Sequence, residues 1–395
     1  MQPTISSCIQ PQPYHHSLTP RPSTLRPHCL AKERLIRWIP SAQPSHTAST
    51  QDRTSLVAPL SDAQLNRILF VMGASLAEST KATYGSGLLI FHVYCDLLDI
   101  PDERRCPISS QLLLTFLSSC AGAYSGSTLA NYAAALRAWH ILHSANWDIN
   151  PNQLKTILEG AARLAPMSSK REPRKPYEPD IILQFRSHLN LNDPLDATVF
   201  ACLTTVFFCV ARLGEFTLPN LKDFDPTKHI ARSDVSKVVG ANGVTVTKFH
   251  LPSTKSSPHN GEDTQWAPQS DLTDPEAALN NHFRVNPAPD NAHLFAWRRP
   301  KTGLRPLTKR EFINRLSDIA KKHDLPNLKG HGLRIGGTLL YLKRGVPFDV
   351  VKTMGRWKGD SFTLYLRQHA MILAPYLQDS PALEPFTRYT MPPMR

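Results

Sequence analysis

The chain has few of the residue groupings that mark common cofactor sites. None of its seven cysteines, Cys8, Cys29, Cys95, Cys106, Cys120, Cys202 and Cys209, forms a Cys-x-x-Cys pair. No histidine pair stands beside them at zinc-finger spacing, so neither a structural zinc nor a disulfide framework is expected. The thiols read as reduced side chains of an intracellular protein. No glycine-rich loop joins a strand to a helix, which removes the common nucleotide-binding units. No internal repeat is present. The longest apolar run, Ala197 to Ala211, is too short and too rich in threonine to span a bilayer, and reads as a buried helix. The opening residues lack a charged start and an apolar core, so no secretory signal is expected. Acidic residues are scarce: 32 Asp+Glu face 45 Lys+Arg, a formal charge of +13. That surplus favours an anionic partner, most simply nucleic acid.

Residues 1–58 are rich in Pro, Ser, Thr and His, with one short patterned patch, LAKERLIRWIP. They read as a disordered, mildly basic tail. The prolines argue against the amphipathic helix of an organelle transit peptide. From Ser61 the pattern becomes helical, with Leu65, Ile68, Leu69 and Met72 on one face. Further helices follow from a cap at Ser79 or Thr80, over Pro107 to Cys120, from a cap at Ser125 or Ser127, and from Pro151. Residues 60–165 are therefore expected to form a helical domain. Residues 166–179 carry four prolines and the cations Lys170, Arg171, Arg174 and Lys175. They read as a basic linker suited to lie along a phosphate backbone.

Residues 180–377 read as a second domain, mainly helical with one small antiparallel sheet. Helices are expected over Asp180–Leu189, Asp196–Leu213, Asp274–Arg284, Thr308–His323, Leu328–Arg344, Asp349–Met354 and Ser361–Ile372. Residues 243–251 alternate as a strand, and DTQWA is its returning partner. Residues 378–395 read as a C-terminal tail.

Within this second domain lie residues suited to one phosphate. Arg212, at the end of a buried apolar run, is in a costly place for a cation without a nearby anion. Glu215, one turn on, is placed to orient it. Lys255 sits in the turn between the two strands, with Lys248 as a weaker rival. His331 and Arg334, three apart, share a helix face. Trp357 follows a Gly-Arg turn and offers a single indole donor. Tyr365 offers a hydroxyl. Each has a plain structural reading as well: Arg212 with Glu215 as an ion pair, His331 as a helix cap, Trp357 and Tyr365 as core, Lys255 as a solvated turn lysine.

The order Arg, Lys, His-x-x-Arg, Trp, Tyr resembles the catalytic signature of tyrosine recombinases, which break and rejoin DNA. ARLGEF is similar to the family's first arginine box, HGLRIGGTLL to its His-x-x-Arg box, and GRWKGDSFTLYLR to the segment that ends on the tyrosine. STKATYGSGLLIFHVYC and GSTLANYAAALRAWH resemble helices of its core-binding domain. Details such as RLGEF look most like recombinase-like proteins of fungal mobile elements. Trp357 and Tyr365 are eight residues apart, one fewer than is usual in bacterial and phage members.

The resemblance implies a mainly helical two-domain clamp on double-stranded DNA. Tyr365 is the expected nucleophile of a 3′-phosphotyrosine intermediate. Arg212 and Arg334 hold the non-bridging oxygens, because a guanidinium fork bonds two of them and stays charged. Trp357 donates to one oxygen, His331 assists as acid or base, and Lys255 protonates the leaving oxygen. No metal or cofactor is implied. A nuclear location and a tetramer on two duplexes are implied. Two alternatives remain open: a DNA-binding descendant that no longer cuts, and an activity like that of type IB topoisomerases.

Overall fold

The computed structural model describes residues 14, 18–41, 61–170, 172, 174–240, 243–359, 362–363 and 372. The chain divides into two compact units, Met1–Glu172 and Pro173–Arg395. It is mainly α-helical, with two small antiparallel sheets among the described residues.

The first unit holds α1 (Arg34–Arg37), α2 (Asp62–Ala74), α3 (Glu78–Leu97), α4 (Ser110–Cys120), α5 (Gly126–Leu142) and α6 (Pro151–Arg163). Local chemistry explains most of the starts. Ser61 and Gln64 form a reciprocal capping box, the Ser125 hydroxyl accepts from the Thr128 amide, and Asn150 caps a helix whose first residue is Pro151. Helix α3 begins ahead of the expected Ser79 or Thr80 cap. Glu78 occupies its first turn and pairs with Lys81 at 2.9 Å, which suits the positive end of a helix. Phe91, Phe116, Leu136 and Trp139 fill the core between α3, α4 and α5.

The expectation of a disordered tail over 1–58 is corrected for residues 18–41. Leu35 and Trp38 are buried in the core of this unit. The Trp139 indole donates to the Trp38 carbonyl at 2.6 Å, and the Arg21 amide donates to Asp96 at 2.6 Å. Arg26 pairs with Asp102. Two large apolar side chains on one short turn are enough to anchor the segment, and an average over 58 residues hides them. Residues 1–13, 15–17 and 42–60 lie outside the described residues, as do 378–395.

The second unit is built around α8 (Pro194–Phe208), in which every residue from Asp196 to Phe208 is buried. Asp196, the one charge among them, receives Arg315 through two hydrogen bonds of 2.6 and 2.8 Å. Around α8 lie α7 (Pro179–Ser187), α9 (Pro275–Val285), α10 (Lys309–Lys322), α11 (His331–Lys343) and α12 (Phe348–Met354). Strands β1 (Val235–Val239), β2 (Thr245–Leu251) and β3 (Glu262–Trp266) form an antiparallel sheet in that order, and β4 (Ala296–Arg299) pairs with β5 (Gly303–Pro306). Phe249, Leu251 and Trp266 turn inward from β2 and β3.

The linker expected over 166–179 is shorter than read. Met167–Ser169 form a 3-10 turn, and Tyr177 is buried in the second unit with its amide on the Gly332 carbonyl at 3.0 Å. Lys170, Arg174 and Lys175 are exposed; Arg171 lies outside the described residues. An aromatic residue flanked by proline and glutamate is read as loop by composition, but here a core pocket takes it.

Candidate functional site

The expected helix Asp196–Leu213 stops at Phe208, and that early stop shapes the site. A helix end leaves its last carbonyls without intrahelical partners. The Val210 amide returns to Phe207 at 3.1 Å and the Ala211 amide to Val206 at 3.0 Å. This is the double bond pattern that glycine usually closes. Here the left-handed position is Val210, at φ 49°, which costs a β-branched residue backbone strain. Three consecutive carbonyls are then met from distant parts of the chain. Phe208 receives the Tyr341 hydroxyl at 2.9 Å, Cys209 the Thr264 hydroxyl at 3.1 Å, and Val210 the Arg334 guanidinium at 2.9 Å.

Arg212 follows immediately, outside the helix, as the residue before a 3-10 turn over Leu213–Glu215. Its amide and its guanidinium both bond Glu215, each at 2.8 Å. The Arg212 side chain remains 33% exposed, whereas that of Glu215 is 8% exposed. Glu215 therefore holds the arginine at its amide and at one guanidinium nitrogen, and a third of the side chain stays exposed.

Arg334 is the opposite case. It is 1% exposed, donates to the Gly355 carbonyl at 2.5 Å as well as to Val210, and its guanidinium lies 3.9 Å from the centroid of the Trp357 ring. Trp357 is 9% exposed and packs with Val210 and Phe362. Gly336 and Gly337 let α11 approach: a Cβ at Gly336 would meet the Tyr177 carbonyl, and one at Gly337 the Phe207 carbonyl.

His331 opens α11 and is partly buried. Burial, then the cations Arg174, Arg334, Arg212 and Lys309, push its pKa down to about 4. Arg334 bonds the Val210 carbonyl, two residues before Arg212, and Gly330, beside His331, faces the Leu213 side chain, so the expected Arg212, His331 and Arg334 lie at the same end of α8. Arg174, expected only as a linker cation, acts on the imidazole as well.

Lys255 is exposed in the turn between β2 and β3. Its rival Lys248 lies within β2 and pairs with Asp263 at 3.1 Å. The turn is tied down on both sides of Lys255. The hydroxyls of Thr254 and Ser256 donate to the same oxygen of Glu262, at 2.6 and 2.7 Å. Lys358 donates to the Ser256 carbonyl at 2.7 Å. Burial opposes ionisation of Glu262, but the two hydroxyls, Arg356 and Arg212 outweigh it and keep its pKa below the usual carboxylate value. Arg356 bonds Glu215 at 2.5 Å and approaches Glu262 at 3.9 Å. Reading the sequence missed Glu262 and Arg356; the only signals were a glutamate opening a strand and an arginine beside Trp357.

Tyr365 lies outside the described residues, as does most of the helix expected over Ser361–Ile372. Tyr341, a rival hydroxyl, is occupied by the Phe208 carbonyl, and burial raises its pKa above the ordinary phenol value. Among the described residues, no cluster of three or more His, Cys, Asp or Glu is arranged to hold a metal ion. No described helix is long and apolar enough to cross a membrane.

No protein-family model matches the chain, and no curated protein matches it. Among solved structures it is similar to the XerH site-specific recombinase bound to palindromic difH substrate in a post-cleavage complex. That match has 15% identity and a TM-score of 0.49, over 80% of this chain and 82% of that one. It is also similar to XerA recombinase, at 13% identity and TM-score 0.34 over 80% and 99% of the two chains. A Flpe–Holliday junction complex matches at 12% identity and TM-score 0.33, over 78% and 80%.

Proposed function

We propose that the chain is a tyrosine recombinase that cleaves and rejoins DNA through a 3′-phosphotyrosine formed on Tyr365. The observation that carries the reading is that Arg334 bonds the Val210 carbonyl, two residues before Arg212, while Gly330, beside His331, packs on Leu213, so that all three lie at the same end of α8. They come from two sequence boxes more than a hundred residues apart, and while Arg334 also serves the end of α8, Arg212 bonds none of its freed carbonyls. Arg212 is the cation held for a non-bridging oxygen. Removing charge from a transferring phosphoryl group is the main task of such a site. Lys255 supplies the proton for the leaving 5′ oxygen, and Trp357 backs the Arg334 guanidinium. His331, held neutral by its surroundings, is the base for the phenol proton once the negative phosphate offsets the cations around it and raises its basicity. In this reading the substrate is double-stranded DNA and the location nuclear. The working form is a tetramer on two duplexes, and the gene belongs to a mobile element of the fungal type.

The test is a suicide duplex nicked just past the scissile phosphate, so that the short fragment diffuses away. Wild-type protein is expected to shift on a denaturing gel by the mass of the attached strand. Tyr365→Phe is expected to form no adduct and still bind the duplex. An adduct on Tyr376, or on the Tyr365→Phe protein, overturns the assignment of the nucleophile.

One observation favours a second reading. Arg334 is fully buried on backbone carbonyls, as a structural arginine would be. A chain that binds duplex DNA and forms no adduct on any end sequence is a DNA-binding descendant of a recombinase. Relaxation of any supercoiled plasmid without sequence preference points instead to a topoisomerase-like activity.

A further inference from the structure

We infer that Glu262 and Arg356 are positioning residues that hold the Lys255 turn in register with Arg212. The inference rests on the proposed cleavage reaction and assigns to it two residues outside the expected set. Three observations combine. First, Glu262 binds the turn at the residues directly before and after Lys255, through Thr254 and Ser256. A lysine between two anchored neighbours has its backbone fixed while its side chain stays exposed. Second, Arg356 spans from Glu262 to Glu215, and Glu215 is the residue that orients Arg212. The chain Thr254/Ser256–Glu262–Arg356–Glu215–Arg212 therefore joins the leaving-group side of the site to the phosphate side. Third, Arg356 has a left-handed backbone at φ 55° and a side chain only 7% exposed. A long cation held in that conformation and out of water is a costly arrangement for a surface turn; the Glu215 hydrogen bond and the nearby Glu262 charge offset part of the cost, while its Nε and Nη1 are buried with no hydrogen-bond partner among the described residues. Lys358 adds a second tie, to the Ser256 carbonyl.

The chemistry gives a direct test. In cleavage the Tyr365 oxygen bonds to phosphorus, the bond from phosphorus to the 5′ oxygen breaks, and that oxygen takes a proton from Lys255. If sulfur replaces the bridging 5′ oxygen, a thiolate leaves without needing the proton, because thiols are far stronger acids than alcohols. A variant that misplaces Lys255 is slow on the oxygen duplex and restored on the sulfur duplex. Glu262→Ala is expected to lose roughly 10²-fold or more on oxygen, the order of a positioned acid, and to return close to wild type on sulfur. Lys255→Met sets the reference for that pattern, and Arg212→Ala is expected to stay defective on both. Glu262→Gln, which keeps an acceptor for the two hydroxyls, is expected to fall between wild type and Glu262→Ala. Equal loss on both duplexes overturns the inference.

A second readout does not depend on cleavage. Amide hydrogen exchange at 253–257 is expected to quicken at least tenfold in Glu262→Ala and in Arg356→Met, with β2 unchanged. Unchanged exchange at the turn overturns the inference even if cleavage falls. If wild-type protein cleaves neither duplex, the cleavage reading fails, and the exchange data alone decide whether Glu262 and Arg356 hold the turn. Should Glu262→Ala lower the melting temperature, Thr254→Val removes one tie with the carboxylate in place and is expected to show the same sulfur rescue.

Discussion

The two arginines of the site are held in opposite ways. Arg334 comes from α11 and is sealed: two backbone carbonyls, the Trp357 ring and the close approach of Gly336 and Gly337 leave it 1% exposed. Arg212 comes from the loop after α8 and is presented: one carboxylate holds its amide and one guanidinium nitrogen, and a third of the side chain meets solvent. The sealed side makes the wall, and the open side faces whatever binds. A cation that also closes the fold cannot be judged by loss of activity alone, because its removal changes both. The presented cation can.

Three substitutions and one titration break or sharpen this contrast. The largest effect is expected on the sealed side. Gly337→Ala places a methyl against the Phe207 carbonyl, and Arg334→Ala strands two buried carbonyls and undermines Trp357. Each unmet buried group costs about 1–3 kcal/mol, and overpacking costs a similar amount, about 1–3 kcal/mol. Both variants are expected to melt well below wild type in thermal denaturation followed by circular dichroism. An unchanged melting temperature for Arg334→Ala removes the distinction between the two arginines.

Arg212→Ala is expected to leave the melting curve nearly in place and to keep duplex binding. Cleavage falls by roughly 10²–10³-fold, the order for loss of one pre-organised donor to a developing charge. If the variant unfolds instead, the bond to Glu215 is structural and the open side is a second wall.

The smallest effect is a titration. His331 opens α11, one turn before Arg334. Burial and the cations Arg174, Arg334, Arg212 and Lys309 bring its pKa to about 4 in the free protein. Its folded pKa lies below that of an unfolded chain, so protonation favours unfolding. Its contribution to stability is complete above the ordinary histidine pKa and is lost as pH falls from there toward 4. Nuclear magnetic resonance of the ring protons, assigned with His331→Gln, is expected to give a midpoint near 4. A duplex whose phosphate enters the site is expected to raise it, because a negative charge offsets the four cations. A midpoint at the ordinary value in free protein means that the cations do not converge.

The helices were largely legible because their signals are local. Caps at Ser61, Ser125 and Thr308 and a proline at 151 mark starts that no tertiary contact needs to supply. Strand β1 was not legible: Val235–Val239 is mostly exposed and its valines do not alternate with polar residues. The end of α8 was misplaced for a different reason. Its stop uses a valine where glycine is the usual signal, and the partners of the freed carbonyls are Thr264, Arg334 and Tyr341, all far along the chain. At the site, Arg212, His331 and Arg334 stood in recognisable boxes. Glu262 and Arg356 did not, because neither has meaning until β3 and the turn before Trp357 meet.

That valine also bears on the order in which the molecule assembles. A segment with no stop signal of its own should run on as helix while the chain is still forming, carrying Arg212 with it. The break at Phe208 becomes favourable only after β3 and α11 have arrived to take the three carbonyls, contacts whose loop closure makes them slow. Arg212 is then expected to reach its working position among the last events of folding, and pulse-labelled exchange would read this as late protection of the Glu215 and Phe216 amides, which bond the Arg212 and Leu213 carbonyls only in the final turn. A nascent or partly unfolded chain would carry every cation of the site and still be unable to grip a phosphate, so under the proposed function DNA contact would wait until the second unit is complete.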